Sequence, residues 1–296
     1  MDYYFKEDFH YKLFFASSPN LYGSDSIHSN SQLNHSVHEI NPSIHPPSIM
    51  TSIKKSSSKS NSLLDIPILN TTTAIALWLA VTTVVPLKLS SSRPNALGIA
   101  ILGFNNLNIL IAFCEIVLGN YITVIQQDFR KFQQQYPGQR RYQAAFAYLL
   151  YPLSLRTVLS GRVWSQMWST YSLWDPSYSN PESFGFFIDV GNGWSTIVPC
   201  LLWNVAILCP QWIHSNELDT LVGFVGACSY WQVLYGTIIY LLSFVWNKRY
   251  QGNPLAEVLG FVGVSNGIWF VFPLFALYAS YQMLLHKDCT RVFLVS

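Results

Sequence analysis

The sequence predicts an all-α, polytopic membrane protein: five transmembrane helices behind a disordered N-terminal tail. Three observations carry that prediction. Only 11% of the 296 residues are charged while 50% are apolar, against about 25% charged in an ordinary soluble domain. Five runs are long and apolar enough to cross a bilayer, for which about 20 residues are needed. Composition also changes abruptly near residue 65, from Ser, Asn and His to aliphatic and aromatic side chains.

Residues 1–65 form the expected tail, with "PSIHPPS" at 42–48 and "KKSSSKSNS" at 54–62. Such a segment buries too little apolar surface to offset the entropy of ordering it. Its opening residues are not expected to be a cleavable signal, since charges interrupt the apolar patch. The tail holds His10, His28, His35, His38 and His45 at irregular spacing, which does not predict a metal site. The sequon Asn34-His35-Ser36 matters only if this segment is lumenal.

The membrane domain is expected over 66–290, with spans at about 66–87, 95–125, 183–209, 220–247 and 258–286. The first, "IPILNTTTAIALWLAVTTVVPL", is weakened by its threonines. The second carries Glu115, and the third carries Asp189, the only charged residue between Ser183 and Asn216. The fourth has no charge, and the fifth has none before Lys287. Strands are disfavoured, because the runs are continuously apolar and too long. The connection 126–182 contains "YQAAFAYLLYPLSL" (142–155), too short to span and expected at the interface. Trp164, Trp168, Tyr171, Trp174 and Tyr178 in that connection read as an aromatic belt at headgroup level. No internal repeat is visible.

Several function classes are excluded or disfavoured by composition. Seventeen Lys+Arg against fifteen Asp+Glu give no electrostatic footprint for nucleic acid. Cys114, Cys200, Cys209, Cys228 and Cys289 show no CxxC pair and read as small apolar residues.

The polar residues at membrane depth carry the functional reading. A charge at mid-bilayer costs about 2.5–3.5 kcal/mol on the insertion scale, so it faces the bundle interior. Glu115 and Asp189 have no Lys or Arg within the spans to pair with. They must be hydrogen-bonded, hydrated in a cavity, or protonated, and a protonated carboxyl near neutral pH suits general acid–base work. Asn108 lies two helical turns before Glu115, and Asn192 lies three residues after Asp189. Gln232, Tyr235 and Tyr240 interrupt the fourth span; Asn266 and Trp269 stand three apart in the fifth. Convergence of these groups would make an apolar pocket with few polar contacts, the usual form of a small-ligand site. The competing reading is that they only hydrogen-bond neighbouring helices. Gly185 and the glycines of "GNG" (191–193) read as packing residues.

An acid in span two, "MWSTYSLWDPSY" (167–178), an acid in span three, "WQVLYGTIIY" (231–240) and "VSNGIWFVFP" (264–273) occur in that order. Over about residues 75–286 this pattern resembles the EXPERA-domain superfamily, and within it most the emopamil-binding protein family of sterol Δ8–Δ7 isomerases. The shared pieces are W-x-x-Y…D-x-x-Y, Q-x-x-Y-G and N-x-x-W-x-x-x-P. The resemblance implies five spans, residence in the endoplasmic reticulum, and a sterol or cationic amphiphile as partner within the lipid bilayer. It implies catalytic roles for Glu115 and Asp189 (the latter where the family has a glutamate) and ligand contacts from Asn192, Asn266 and Trp269. In such an enzyme one end of a ring double bond is protonated and a neighbouring proton is removed. The cationic intermediate would face an indole, for which Trp269 is suited. The reaction is redox-neutral, so no cofactor and no metal is expected. Ile111 departs from the pattern: the family has a histidine there, one turn before the second-span acid.

Three readings therefore stand: a sterol isomerase, a non-catalytic sterol- or amphiphile-binding protein of the sigma-2 receptor type, and a protein whose polar residues only pack helices. Orientation is argued both ways. Lys54, Lys55, Lys59, Arg130, Lys131, Arg140, Arg141, Arg156, Arg162, Lys248 and Arg249 would share one side, against Lys88, Arg93, Lys287 and Arg291. That asymmetry places the N-terminus in the cytosol, whereas the resemblance implies the reverse. A homodimer is left open.

Overall fold

The computed structural model describes residues 63–213 and 215–295. The tail expectation for 1–62, including its five histidines, Asn34, Lys54, Lys55 and Lys59, lies outside the described residues, as does His214.

The described residues are mainly helical, and among them four helices are long and apolar enough to cross a membrane: Thr71–Leu89 (α1), Ala96–Asn120 (α2), Asn216–Trp246 and Leu255–His286. It reads as an integral membrane protein. The outward-facing residues agree with this: Leu89, Val198, Trp246 and Tyr281 are among many large apolar side chains left exposed, a surface that only an apolar solvent tolerates at this extent.

The first span begins later than the hydropathy suggests. Pro67–Asn70 (β1) is extended and pairs antiparallel with Pro152–Ser154 (β2), Leu69 opposite Leu153. This corrects the expectation of no strand. Asn70 then caps α1 through a reciprocal box with Thr73: its side chain accepts from the Thr73 N–H at 2.9 Å and its own N–H donates to Thr73 Oγ1 at 2.8 Å. The cap fixes the helix start at Thr71, five residues beyond the apolar run's first residue.

The second span also ends early. Tyr121 leaves helical geometry (φ −116°, ψ 19°), and the amphipathic helix Ile122–Gln135 (α3) follows. Arg141–Leu149 (α4) and Gly161–Tyr171 (α5) complete the long connection. Here the belt expectation is overturned. Trp164, Trp168, Trp174 and Tyr178 are buried in a core with Cys114, Leu118 and Phe186. Each indole finds a partner inside the protein: Trp164 Nε1 donates to the Val158 carbonyl (2.8 Å), Trp168 to that of Cys114 (2.6 Å) and Trp174 to Glu257 Oε2 (2.8 Å). An aromatic ring whose polar edge is satisfied internally gains nothing from the headgroup layer.

The third expected span is two 12-residue helices, Phe184–Ser195 (α6) and Ile197–Leu208 (α7), meeting at Thr196. Pro199 supplies the physical reason. It has no N–H for the Ser195 carbonyl, and its ring crowds that carbonyl. Thr196 Oγ1 donates to the Asn192 carbonyl at 2.8 Å, which eases the bend. The backbone still bonds across the joint, from Thr196 N to Asn192 O and from Cys200 N to Thr196 O, each at 3.0 Å.

Asn216–Trp246 (α8) is capped by Ser215 and carries Glu217 and Asp219 in its first turn, where the helix dipole favours acids. It packs along Leu255–His286 (α9). Gly226 is essential to the inner packing of α8: a Cβ there would overlap the indole of the buried Trp203. Wide π-turns run over Val258–Val264 in α9, where the Ser265 hydroxyl and the Asn266 amide bond back to the carbonyls of Phe261 and Val262. The short helix Cys289–Phe293 (α10) tucks Phe293 under the start of α2, whose Asn95 N–H donates to the Phe293 carbonyl at 2.7 Å.

The centre of the bundle is α2, in contact with α5, α6, α7 and α9. Its asparagines fix it there. Asn105 Nδ2 donates to Asn204 Oδ1 (3.1 Å) and its Oδ1 accepts from Tyr230 (2.8 Å). Asn106 donates to the Thr82 carbonyl (2.8 Å) and to Thr83 Oγ1 (2.9 Å), and accepts from Asn204 (2.9 Å). One lattice of amides thus joins α1, α2, α7 and α8.

Candidate functional site

The helical period decides which side chains meet. On α2, Ile111 and Glu115 lie one turn apart; on α6, Ile188, Asp189 and Asn192 share a face; on α8, Gly236, Thr237 and Tyr240 do. Met167, Trp168 and Tyr171 of α5, Tyr178 beyond it, and Ser265, Asn266 and Trp269 of α9 close the remaining walls. Together these fifteen residues line a cavity of about 160 Å³.

The close approach of α6 to α2 comes from Gly193. A Cβ at that position would sit 2.9 Å from the Ala112 carbonyl oxygen, from Glu115 Cβ and from Ile116 N. Gly236 does the same for Ile188, 3.1 Å away. The packing reading of Gly185 and Gly193 therefore matches the geometry, Gly185 lying against Ser177 and Tyr240. Gly191 touches nothing.

Glu115 and Asp189 thus stand in the wall of one cavity, from different helices. Glu115 is buried and its Oε2 has no hydrogen-bond partner among the described residues. That sets it apart from the buried Asn105, Asn106 and Asn108 of the same helix, all of which are bonded. Asp189 shares that wall with the phenol of Tyr178. Among the lining residues none is basic. The near cation, Arg249, is engaged elsewhere: its Nη1 lies 3.0 Å from both oxygens of the fully buried Asp175, which also accepts from Tyr240 Oη at 2.6 Å. The guanidinium stacks over Tyr240 at 5.5 Å and Phe244 at 5.4 Å.

The other expected ligand residues divide. Asn192, Asn266 and Trp269 line the cavity. Asn266 Nδ2 donates to Tyr171 Oη at 3.1 Å. Asn108 stands behind the wall: its Oδ1 accepts from Trp269 Nε1 at 2.9 Å and its Nδ2 donates to Cys200 Sγ at 3.4 Å, so it orients the indole. Gln232 is also one step removed, donating to Asn192 Oδ1 (2.9 Å) and to Ser195 Oγ (2.7 Å). Tyr235 does not line the cavity. It is half exposed on the outer face of α8 and stacks on Trp231, ring centres 5.9 Å apart.

Sequence reasoning missed Met167, Trp168, Tyr171, Tyr178, Thr237 and Ser265 as wall residues. Trp168 and Tyr171 lie three apart, as do Asp175 and Tyr178, spacings that place each pair on one side of a helical turn. Burial pushes the Tyr171 phenol up to about 12 and that of Tyr178 well above its ordinary value, so both stay neutral hydroxyl donors and acceptors. Ile111, at the position where a histidine was expected from the resemblance, faces the cavity directly beside Glu115. Among the described residues no group of three or more His, Cys, Asp or Glu could hold a metal.

Comparison with protein-family models, with curated proteins and with solved structures gives no match for this chain.

Proposed function

We propose that the chain is an EXPERA-type membrane protein that shifts a sterol ring double bond from Δ8 to Δ7 by protonation and deprotonation. The observation that carries this reading is the convergence of Glu115 and Asp189 on one cavity that no basic side chain lines. A carboxyl without a cation can hold a proton, and two of them can divide the roles of donor and acceptor. One acid adds a proton to one end of the double bond; the cation at the other end collapses when the neighbouring ring proton passes to a carboxylate. Proton gain equals proton loss, and no electrons leave the substrate. Trp269, held in one orientation by Asn108, would present its face to the cation at a gain of about 0.5–2 kcal/mol.

In this reading α6 and α7 together form a fifth span, about 37 Å long at 1.5 Å per residue, and the protein resides in the endoplasmic reticulum. The cavity is smaller than the usual ligand pocket of about 300–1,000 Å³, so a sterol must widen it. Met167, flexible and unbranched, is the wall residue best able to yield.

Ile111 favours a second reading, non-catalytic binding of a sterol or cationic amphiphile. Beside Glu115 it puts methyl groups where a second proton-bearing side chain would otherwise stand. One experiment separates the two. Membranes of an isomerase-deficient host carrying this chain are given a Δ8 sterol in deuterated water. A Δ7 product with one deuterium, lost in Glu115→Gln and Asp189→Asn, supports the isomerase. No product, with an amine-bearing sterol mimic still bound, leaves the binding protein.

A further inference from the structure

Beyond the cavity, on the far side of the Asp175–Arg249 pair, lies a second and more polar hollow. It measures about 570 Å³ and is lined by Ser177, Asn180, Ser183, Ser243, Asn247 and Arg249 among others. Asn180 and Asn247 are exposed, and Arg249 follows the end of α8, so the hollow belongs to the aqueous face of the bundle. Two of its groups, Ser177 Oγ and Arg249 Nε, are buried without a hydrogen-bond partner among the described residues.

Between this hollow and the acids stand three phenols. Tyr178 shares the cavity wall with Asp189. Tyr171 accepts from Asn266 Nδ2 at 3.1 Å, and Tyr240 donates to Asp175 at 2.6 Å. Tyr178 packs against both others, ring centres 5.1 Å from Tyr171 and 5.8 Å from Tyr240. All three line the cavity, which is polar there and has room for a bridging water at about 30 Å³. Packing alone would be served as well by phenylalanine. Three hydroxyls side by side in one cavity wall, the last bonded to a carboxylate whose partner Arg249 lines the hollow, form a path of groups that both accept and donate protons.

We infer that Tyr178, Tyr171, Tyr240 and Asp175 form a proton relay that connects Asp189 to water in the outer hollow. The inference stands on this geometry and not on the identity of the ligand. In the outward direction the Asp189 carboxyl gives its proton to the Tyr178 oxygen as Tyr178 passes its own to Tyr171, directly or through one water. Tyr171 passes a proton to Tyr240, again directly or through one water, Tyr240 to the Asp175 carboxylate, and Asp175 to a water admitted from the hollow past Arg249. Each phenol breaks one O–H bond and forms one, so the net change is one proton moved and no electrons. The inward direction recharges Asp189.

The test reads the proton itself. Full-length protein in lipid nanodiscs is switched rapidly from light to heavy water, and the infrared carbonyl band of protonated Asp189, identified by its loss in Asp189→Asn, is followed as it shifts. The relay predicts fast exchange in the native chain. Exchange slows by about tenfold or more in Tyr240→Phe and in Tyr171→Phe, each removing one hydroxyl and leaving its ring. Tyr235→Phe, on the outer face of the same helix, exchanges as the native chain does. Native-rate exchange in a folded Tyr240→Phe and Tyr171→Phe would overturn the relay, as would a native Asp189 band that does not exchange. Because no turnover is measured, loss of the isomerase reading leaves this result intact, and the reverse also holds.

Discussion

Substituting Gly193 by alanine, with Gly191→Ala beside it, tests the contact that sets the two acids against each other. Both glycines lie in α6, two residues apart, and both gain up to about 1 kcal/mol of helix propensity on becoming alanine. For Gly191 that is the whole effect, since nothing lies within 4 Å of its added methyl. At Gly193 the methyl would meet the Ala112 carbonyl oxygen, Glu115 Cβ and Ile116 N, each at 2.9 Å. Two of these are backbone atoms of α2 and cannot rotate away, so α6 must move outward by a substantial part of an ångström. Overpacking of this kind costs about 1–3 kcal/mol. The two variants share the propensity gain, which cancels in their difference, so Gly193→Ala should be less stable than Gly191→Ala by about 1–3 kcal/mol. Reversible unfolding in mixed lipid–detergent micelles measures that difference directly. If the two unfold together, α6 and α2 are not in contact at Glu115 and the cavity as described does not exist.

Other perturbations address other parts. Arg249→Ala strips the cation from the fully buried Asp175, and leaving such a charge unpaired costs about 3–5 kcal/mol; a melting point within a degree or two of the native one would contradict that pairing. Asn108→Leu removes the acceptor of Trp269 Nε1. It should destabilise by about 1–3 kcal/mol and weaken binding of an amine sterol mimic, whereas Tyr235→Phe should leave that binding unchanged. Ile111→His places a second proton-bearing group beside Glu115, and in the isomerase reading turnover rises. An unchanged rate, with the variant folded, counts against Ile111 being what limits proton transfer. Gly226→Ala drives a methyl into Trp203 and should prevent recovery of monodisperse protein, since the indole is pinned by its bond to the Val222 carbonyl at 3.0 Å.

How far the molecule was legible in its sequence differs from residue to residue, for physical reasons. Long apolar runs announce helices, because nothing else satisfies the backbone in lipid. Glu115 and Asp189 were legible as inward-facing because lipid refuses them. Tyr235 was not, since a phenol is tolerated on either side of a membrane helix. Its helix is apolar nearly all round, so no polar face tells which side is inner, and the stack on Trp231 is invisible without coordinates. The Trp168–Tyr178 cluster failed for a related reason. Aromatic residues suit both a headgroup layer and a core, and only the carbonyls they reach decide between them. The joint at Thr196 could have been anticipated from Pro199, a local rule outweighed by the length of the apolar run. The strand at Pro67–Asn70 depends on a partner more than eighty residues away, and no local signal encodes that.

The amide lattice of α2 has a consequence for how the protein is made. The Asn105 amide and the Asn106 side-chain oxygen enter the membrane with α2, but Asn204 and Tyr230, which satisfy them, lie 98 or more residues further along the chain. During synthesis α2 therefore spends the time needed to make α3 through α8 with amides that lipid cannot bond and a carboxyl it cannot solvate. Such a segment leaves the translocation channel reluctantly and stays beside it, or beside an insertion factor, until its later partners emerge. Chains arrested before Asn204 should remain crosslinkable to that machinery through α2, and chains long enough to present α8 should not.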